Sequence, residues 1–303
     1  MSDLWPSLAL DAWQDTYTTL HMWTQVVGKI RLVQTPWINH SWHVPLYLTA
    51  RGLTTATIPY GSRVFQIDFD FIDHQLQIST SEGQQRIVEL APRSVADFYR
   101  AVMQALADLD ISIKINTSPN EVTDPIPFEQ DEIHKSYDAE YANRFWRVLL
   151  QSERVLREFR SHFAGKVSPV HFFWGSFDMA VTRFSGRSAP EHPGGVPHLP
   201  NAVAKEAYSQ EVSSAGFWPG AGLGYPAFYS YAYPAPDGFG KAPVQPESAF
   251  FHEGLGEFVL PLDAVREAND PDRALMAFLQ STYSAAATLA NWDQDALKQT
   301  WFK

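Results

Sequence analysis

The side chains best suited to chemistry are concentrated in one segment, residues 171–187, which is otherwise apolar and aromatic. His171 and Asp178 are of the types that act together as a general acid and base. Arg183 and Arg187 occupy odd positions of a predicted strand. Because alternate positions share one face, both guanidinium groups are expected to hold one carboxylate or phosphate. The alternative is a buried ion pair between Asp178 and one arginine that fixes the hairpin.

A second group of polar residues follows between positions 192 and 218. Glu211 or Glu206 can act as a general base if an aromatic pocket raises the pKa of its carboxyl group. His192 is expected to contact the ligand there. The alternative is that Glu206 is a solvent-exposed helix residue and that the nearby serines bond to the backbone. We predict Glu211 as a third catalytic residue.

Four histidines could together form a metal site. His40, His43, His171 and His192 carry the imidazole ligands that suit zinc or iron. None of them shows a recognised ligand spacing such as H-E-x-x-H, so we predict no metal centre. His43 and Arg51 are instead expected to contact a small ligand.

Aromatic residues make up 14% of the chain, so some rings are expected to line a pocket as well as fill a core. A band of rings could stack on a sugar or another planar ligand; its members are Phe217, Trp218, Tyr225, Phe228, Tyr229, Tyr231 and Tyr233. One face of a sheet explains the alternation within this band equally well. Trp174 and Trp218 are the rings predicted to contact the ligand.

The composition excludes several classes of function. A formal net charge of −11 repels phosphate backbones, and no basic cluster suited to nucleic acid or an anionic membrane surface occurs. The chain has no cysteine, which removes disulfides, iron–sulfur clusters and thiol nucleophiles. Its apolar runs are too short to span a membrane and its N-terminus lacks a secretory pattern, so we expect a cytoplasmic protein. The glycines at 220–224 do not form a phosphate-binding motif, and no motif assigns a cofactor.

Hydrophobic periodicity predicts an α+β fold. Helices are predicted over residues 11–27, 94–109, 138–164, 201–208 and 270–291. Strands are predicted over residues 29–34, 44–50, 64–72, 76–79, 87–90, 111–115, 170–174, 177–184, 211–218, 227–233 and 257–260. The first helix is expected to stop at Gly28. The alternation of Phe65, Ile67, Phe69 and Phe71 is typical of a strand with one buried face.

The two halves of the chain resemble each other. Each begins with a helix ending in Gly-Lys, at Gly28 and at Gly165, and each later runs from a strand through proline into a helix. Two weakly similar copies can also arise by chance. The predicted organisation is an N-terminal α+β half at residues 1–118, a linker at 119–137 and a C-terminal α+β half at 138–303. As a possible internal duplication, the halves would pack around a cleft that holds the ligand.

Seven stretches carry a resemblance to a known family: residues 23–29, 42–47, 69–74, 168–175, 182–187, 192–195 and 211–220. They include Trp-His-Val-Pro-Leu-Tyr at 42–47 and His-Phe-Phe-Trp-Gly at 171–175. The chain resembles, over almost its full length, a family of uncharacterised bacterial proteins catalogued as a domain of unknown function. The resemblance implies no activity, substrate or cofactor.

Three functions are compatible with these residues. A small-molecule enzyme would use His171, Asp178 and Glu211 in an aromatic-lined cleft, with arginines holding an anionic group. A non-catalytic protein would bind a sugar or a planar ligand on the aromatic band. A structural or interaction module would use the same polar groups as buried networks. The first is the function that we predict.

Overall fold

The structure, a computed structural model, describes residues 4–300. Within this range the chain forms seven α-helices and two antiparallel sheets, which confirms the predicted α+β class. The helices are α1 Gln14–Gln34, α2 Val95–Ala107, α3 Ala139–Ser161, α4 Asn201–Ala207, α5 Leu262–Arg266, α6 Pro271–Leu289 and α7 Gln294–Leu297. The strands are β1 Tyr47–Leu48, β2 Gly52–Thr54, β3 Ile58–Tyr60, β4 Arg63–Asp70, β5 Gln75–Thr80, β6 Gln85–Glu89, β7 His171–Phe173, β8 Asp178–Ser188, β9 Gln210–Trp218, β10 Ala227–Tyr233, β11 Phe250–His252 and β12 Glu257–Pro261.

The first sheet has the strand order β1-β2-β4-β5-β6, and β3 pairs with β4. Phe65, Ile67 and Phe69 of β4 are buried, as the alternation predicts, because every second side chain of a strand faces the core. Helix α2 packs against β6 and against α1. It begins at Ser94, whose hydroxyl accepts a hydrogen bond of 3.1 Å from the backbone N–H of Asp97.

The second sheet has the order β11-β12-β10-β9-β8-β7, with every neighbouring pair antiparallel. Helices α3 and α6 pack on one of its faces, where Met179, Val181, Phe217 and Phe228 are at most 1% exposed. We call this the helix-covered face. The opposite face lies beneath loop segments and α4, and we call it the loop-covered face.

Within residues 4–300, one backbone bridge joins the two sheets. Leu46 and Phe172 exchange hydrogen bonds of 2.9 and 3.0 Å, which connects β1 to β7. Buried apolar residues of both halves belong to one cluster that extends from Trp5 to Trp292. Each half has a long helix followed by six strands and a helix, but in the second half α4 lies between β8 and β9 and three helices follow the last strand. The duplication, the cleft and the domain boundaries stay predictions.

Two local predictions are wrong. Helix α1 does not stop at Gly28 but continues to Gln34, so the strand predicted at 29–34 does not form. A Cβ atom at Gly28 would overlap the indole ring of Trp174, so this glycine allows close packing and does not end the helix. Residues 111–115 form no strand, although Ile111 is buried. Within residues 4–300, no helix combines the length and the hydropathy that a membrane span requires.

Candidate functional site

Several polar side chains of the second sheet point to its loop-covered face. By alternation and strand register it presents Asp178, Ala180 and Thr182 of β8, Ser214 and Gly216 of β9, and Tyr229 and Tyr231 of β10. Two segments lie over it. The backbone N–H of Glu121 donates to the carbonyl of Pro197 at 3.1 Å, and the hydroxyl of Tyr233 donates to the carbonyl of Pro190 at 3.1 Å.

Asp178 is a carboxyl group without a counter-charge. Its side chain accepts hydrogen bonds from the hydroxyl groups of Ser176 and Tyr229, and it is 8% exposed. Among residues 4–300 it forms no ion pair. Burial raises the pKa of Asp178, although the two hydroxyl groups partly offset this by stabilising the charged form.

Glu121 and Glu257 are two further carboxyl groups that interact with the charge of Asp178. Burial, followed by the negative charge of Asp178, raises the pKa of Glu121 to about 7 and that of Glu257 to about 7. Neither carboxyl group makes a hydrogen bond or an ion pair within the described range. Both side chains stay partly exposed, so solvent reaches them. Glu121 also adopts a left-handed backbone conformation with φ of 58°, a strain that is frequent at functional sites.

Tyrosines complete what we call the carboxyl–tyrosine cluster, which consists of Glu121, Asp178, Glu257, Tyr208, Tyr229 and Tyr231. The hydroxyl groups of Tyr208 and Tyr231 are 2.9 Å apart, and the rings of Tyr229 and Tyr231 are stacked at 6.2 Å. The negative charges of Glu257, Asp178 and Glu121 all add to the burial that raises the pKa of Tyr208. Burial and Asp178 raise the pKa of Tyr229 well above its usual value, so its hydroxyl keeps the proton that it donates.

His171 lies on the same face but is not paired with Asp178. It is 1% exposed, and both of its ring nitrogens lack a hydrogen-bond partner, which costs about 1–3 kcal/mol for each such group. Burial, with Arg31 and Arg160 as further causes, lowers the pKa of His171 to about 3, so its ring is neutral. The acid–base pair expected between His171 and Asp178 is therefore not formed in this structure.

The strand register places His171 and Tyr229 in the same row of paired residues across the sheet. His171 is paired with Ala180, Ala180 with Gly216, and Gly216 with Tyr229. The hydroxyl of Tyr229 lies over Gly216, 2.6 Å from where a Cβ atom would stand. Along the row Ala180 lies between His171 and this end of the cluster, and the rings of Trp42, Tyr47 and Phe173 lie 5.3–5.9 Å from the imidazole.

The two arginines of the predicted anion clamp do not face one cleft. Arg183 is 1% exposed on the helix-covered face, where its guanidinium lies 3.4 Å from the ring centre of Phe159. Arg187 pairs with Glu211 at 2.6 Å and donates to the carbonyl of Ala290 near the end of α6. The register shifts between Phe184 and Ser188, and Gly186 has a φ of 88°, so the alternation is interrupted between the arginines.

Several other predicted site residues lie away from the cluster. Glu211 is occupied by the ion pair with Arg187. Arg51 pairs with Asp70 at 2.5 Å on the first sheet. The ring Nδ1 of His43 accepts from the backbone N–H of Ile38 at 3.2 Å. The indole of Trp174 donates to the carbonyl of Val44 at 3.0 Å.

Trp218 and His192 do lie beside the cluster. Trp218 follows Ser214 and Gly216 at alternate positions of β9, so its ring is on the loop-covered face. The ring of His192 stacks on Tyr208 at 4.5 Å. Of the predicted site, the structure therefore brings Asp178, Trp218 and His192 together. His171 lies in the same row of residues.

Three residues of the cluster were not predicted. Glu121 lies in the segment predicted as a linker, Tyr208 ends a short helix, and Glu257 begins a short strand. None of them belongs to a motif. The alternation of Tyr229 and Tyr231 was visible in the sequence, but the groups that face them come from distant segments. Within residues 4–300, no three histidine, aspartate or glutamate side chains are arranged to hold a metal ion.

The cluster combines carboxyl groups that can exchange protons near neutral pH with tyrosine hydroxyl groups that stay protonated at that pH. A carboxyl group with a pKa near 7 serves both as an acid and as a base at that pH. The partly exposed oxygens of Glu121 and Glu257 are available to a bound molecule, because no protein group occupies them in the described range.

The comparisons with known proteins give a family and no activity. No curated protein and no solved structure matches the chain significantly. A match to a family of unknown function, DUF5996, covers residues 5–299. Since this is nearly the whole chain, the protein belongs to the DUF5996 family.

Proposed function

We propose that the protein is an enzyme that acts on a small molecule by general acid–base catalysis at the carboxyl–tyrosine cluster. The observation that carries this proposal is the pair Glu121 and Glu257, partly exposed carboxyl groups whose pKa is raised to about 7 by burial and by the charge of Asp178. Shifted pKa values in solvent-reachable, partly buried groups are typical of catalytic sites. Within residues 4–300 neither side chain has an ion pair, which would lower its pKa and offset these shifts.

Each group has a role in this proposal. Glu121 or Glu257 removes a proton from the substrate, and the other returns one. Tyr229, which donates its proton to Asp178, accepts a hydrogen bond from a substrate N–H or O–H group. The arginine clamp predicted for an anionic group is not part of the proposal, because Arg183 and Arg187 point to different surroundings.

A second candidate function is binding without turnover. It is favoured by the two ring stacks, Tyr229 on Tyr231 at 6.2 Å and His192 on Tyr208 at 4.5 Å. Such rings offer flat faces to a planar ligand or a sugar. In that case the carboxyl groups would fix the orientation of the ligand only.

The test incubates the purified protein with a mixture of cell metabolites and follows each compound by mass spectrometry. We expect one compound to be consumed by the wild type and by Glu253→Gln, but not by Glu257→Gln. Glu253 is an exposed carboxyl group four residues before Glu257, so its replacement changes the charge equally. A compound that is retained but unchanged would favour the second candidate. Equal consumption by Glu257→Gln would contradict the proposed catalytic role.

A further inference from the structure

We propose that a cavity at the end of the second sheet binds a neutral fused-ring molecule, about the size of indole, whose N–H group donates a hydrogen bond to Glu211. The cavity has a volume of about 190 Å³. It lies between the ends of β9 and β10 and the last turns of α6. This binding site is separate from the proposed function, because none of the residues that line the cavity belongs to the carboxyl–tyrosine cluster.

The cavity forms where the two central strands of the sheet end beneath α6. Glu211 shares one face of β9 with Phe217, and Ala232 shares one face of β10 with Phe228, because alternate side chains of a strand point the same way. Both phenylalanines are buried on the helix-covered face. Glu211 and Ala232 are therefore directed toward the turns of α6 that enclose the cavity. Trp292, which follows α6, is 6% exposed and completes the wall.

The volume and the walls of the cavity favour a small aromatic ligand. Its lining is mostly apolar and consists of three alanines, two prolines, one valine and the residues Tyr233 and Trp292, besides Glu211. An apolar cavity of about 150 Å³ holds one benzene ring. The volume here is larger by about a quarter, which corresponds to a second small ring fused to the first. Aromatic ligands also pack favourably against tyrosine and tryptophan rings.

The Glu211 carboxylate supplies the polar contact, because only one of its oxygens is used by the protein. Arg187 donates to Oε2 from Nε at 2.9 Å and from Nη2 at 2.6 Å. Arginine often holds a carboxylate through both oxygens, but within residues 4–300 no group donates to Oε1. Arg187 also donates to the carbonyls of Ala290 at 2.6 Å and Asn291 at 3.3 Å. The ion pair is thus fixed to the end of α6, and Oε1 is left to accept from a ligand.

The same ion pair indicates that the ligand is neutral. Arg187 already balances the charge of Glu211, so an ammonium group in the cavity would also meet the guanidinium. A carboxylate or phosphate would lie beside Glu211 among apolar walls, and burying such a charge without a partner is costly. A neutral molecule with one N–H group avoids both costs. Indole has this form and serves as the probe.

The experiment compares three probes by calorimetry or saturation-transfer NMR on the full chain at neutral pH. Indole carries the N–H group, benzofuran has the same shape with an oxygen in its place, and indole-3-carboxylate is an anion. We expect indole to bind at least about fivefold more tightly than benzofuran, and the anion to bind most weakly. Equal binding of indole and benzofuran, tightest binding of the anion, or no binding of indole at about 5 mM would overturn the proposal.

Variants locate the binding, and thermal denaturation checks that each is folded. Ala232→Leu and Ala290→Leu fill the cavity from partly exposed positions and should each weaken indole binding about tenfold. Ala235→Leu, at an exposed position outside the lining, is the matched control and should leave it unchanged. Glu211→Leu should reduce the preference for indole over benzofuran to less than about twofold.

The carboxyl–tyrosine cluster provides the last comparison. Glu257→Gln should leave indole binding unchanged, whether or not it abolishes turnover. Indole binding that persists in both Ala232→Leu and Ala290→Leu, or that is lost in Glu257→Gln, would place the ligand elsewhere and overturn the proposal.

Discussion

The two faces of strand β8 each bury an ionisable side chain that forms no ion pair within residues 4–300, and the surroundings of the two side chains differ. On the helix-covered face, Arg183 lies over the rings of Phe159 at 3.4 Å and Tyr283 at 4.3 Å and donates to the carbonyl of Phe159. Burial lowers the pKa of Arg183 to about 9. On the loop-covered face, Asp178 is held by the hydroxyl groups of Ser176 and Tyr229.

Arg183 and Asp178 differ in the groups that surround them. Arg183 is enclosed by two helices and has no access to solvent, so its surroundings come entirely from the chain. Asp178 has two further carboxyl groups nearby whose oxygens no protein group occupies within residues 4–300. We infer that the first charge serves stability and the second serves a ligand, and the predictions below test that division.

The largest effect is expected for Arg183→Ala. The substitution removes the side chain that packs between three rings and leaves a cavity, so the free energy of unfolding should fall by about 3–4 kcal/mol. Chemical denaturation followed by tryptophan fluorescence measures it. Arg183→Met keeps the volume without burying a charge and should lie within about 1 kcal/mol of the wild type. If both variants lose stability equally, the guanidinium itself is needed on this face.

The second effect concerns pH and the opposite face. The pKa of Glu257 is raised from 4.5 to about 7, so between these values the native state binds a proton that the unfolded state has released. The stability contribution of this carboxyl group therefore falls as pH rises through that window. Glutamine does not titrate. The stability of Glu257→Gln relative to the wild type should grow by about 1–2 kcal/mol from about pH 5 to about pH 8.

The comparison with Glu257→Gln is necessary because other groups titrate in the same range with the opposite sign. Burial lowers the pKa of His21 to about 4 and that of His171 to about 3, which destabilises the native state as pH falls. Asp178 and Tyr208 face Glu257 in both proteins. A difference that stays constant over the range would mean that Glu257 has an ordinary pKa.

The sequence predicted those features that depend on local periodicity. The alternation of β4, the position of α2 and the extent of β10 follow from neighbouring residues, and the structure has them. Gly28 was misread because its role is set by Trp174, which is 146 positions further along the chain. The prediction that Arg183 and Arg187 share a face was wrong because the register shift between Phe184 and Ser188 interrupts the regular pairing between them.

The candidate site could be predicted only in part. Asp178 stood out as a charge in an apolar strand, and the alternating tyrosines of β10 marked one face. Glu121 could not be found, because an acidic residue in a Pro-rich segment resembles any exposed loop residue. Its position depends on the pairing of its backbone with Pro197. Contacts between distant segments leave no periodic pattern in the sequence.

A third and smaller effect is expected for His171→Leu. The substitution removes two buried nitrogens that have no partner, so the free energy of unfolding should rise by about 1 kcal/mol. His43→Leu is the matched control, since His43 is also buried but accepts a hydrogen bond from Ile38. It should lose stability. A loss in His171→Leu as well would mean that the imidazole is paired in solution, and the contrast between the faces would be weaker.

The smallest effect on stability, and the sharpest test of the loop-covered face, is expected for Gly175→Ala. A Cβ atom at this position would overlap the carboxyl group of Glu121, which is the flexible end of its side chain and can move outward. Stability should therefore change by less than about 0.5 kcal/mol. The pKa of Glu121, about 7 in the wild type, should fall toward its usual value as the group moves away from Asp178 into solvent. Carboxyl NMR titration measures this shift.

Gly254→Ala is the control. Its Cβ would meet only the His252 ring at 3.3 Å, so it should leave the pKa of Glu121 unchanged. If the pKa of Glu121 is the same in the wild type and in both variants, neither burial nor the nearby Asp178 raises it. The contrast between the two faces of β8 would then be smaller than we infer.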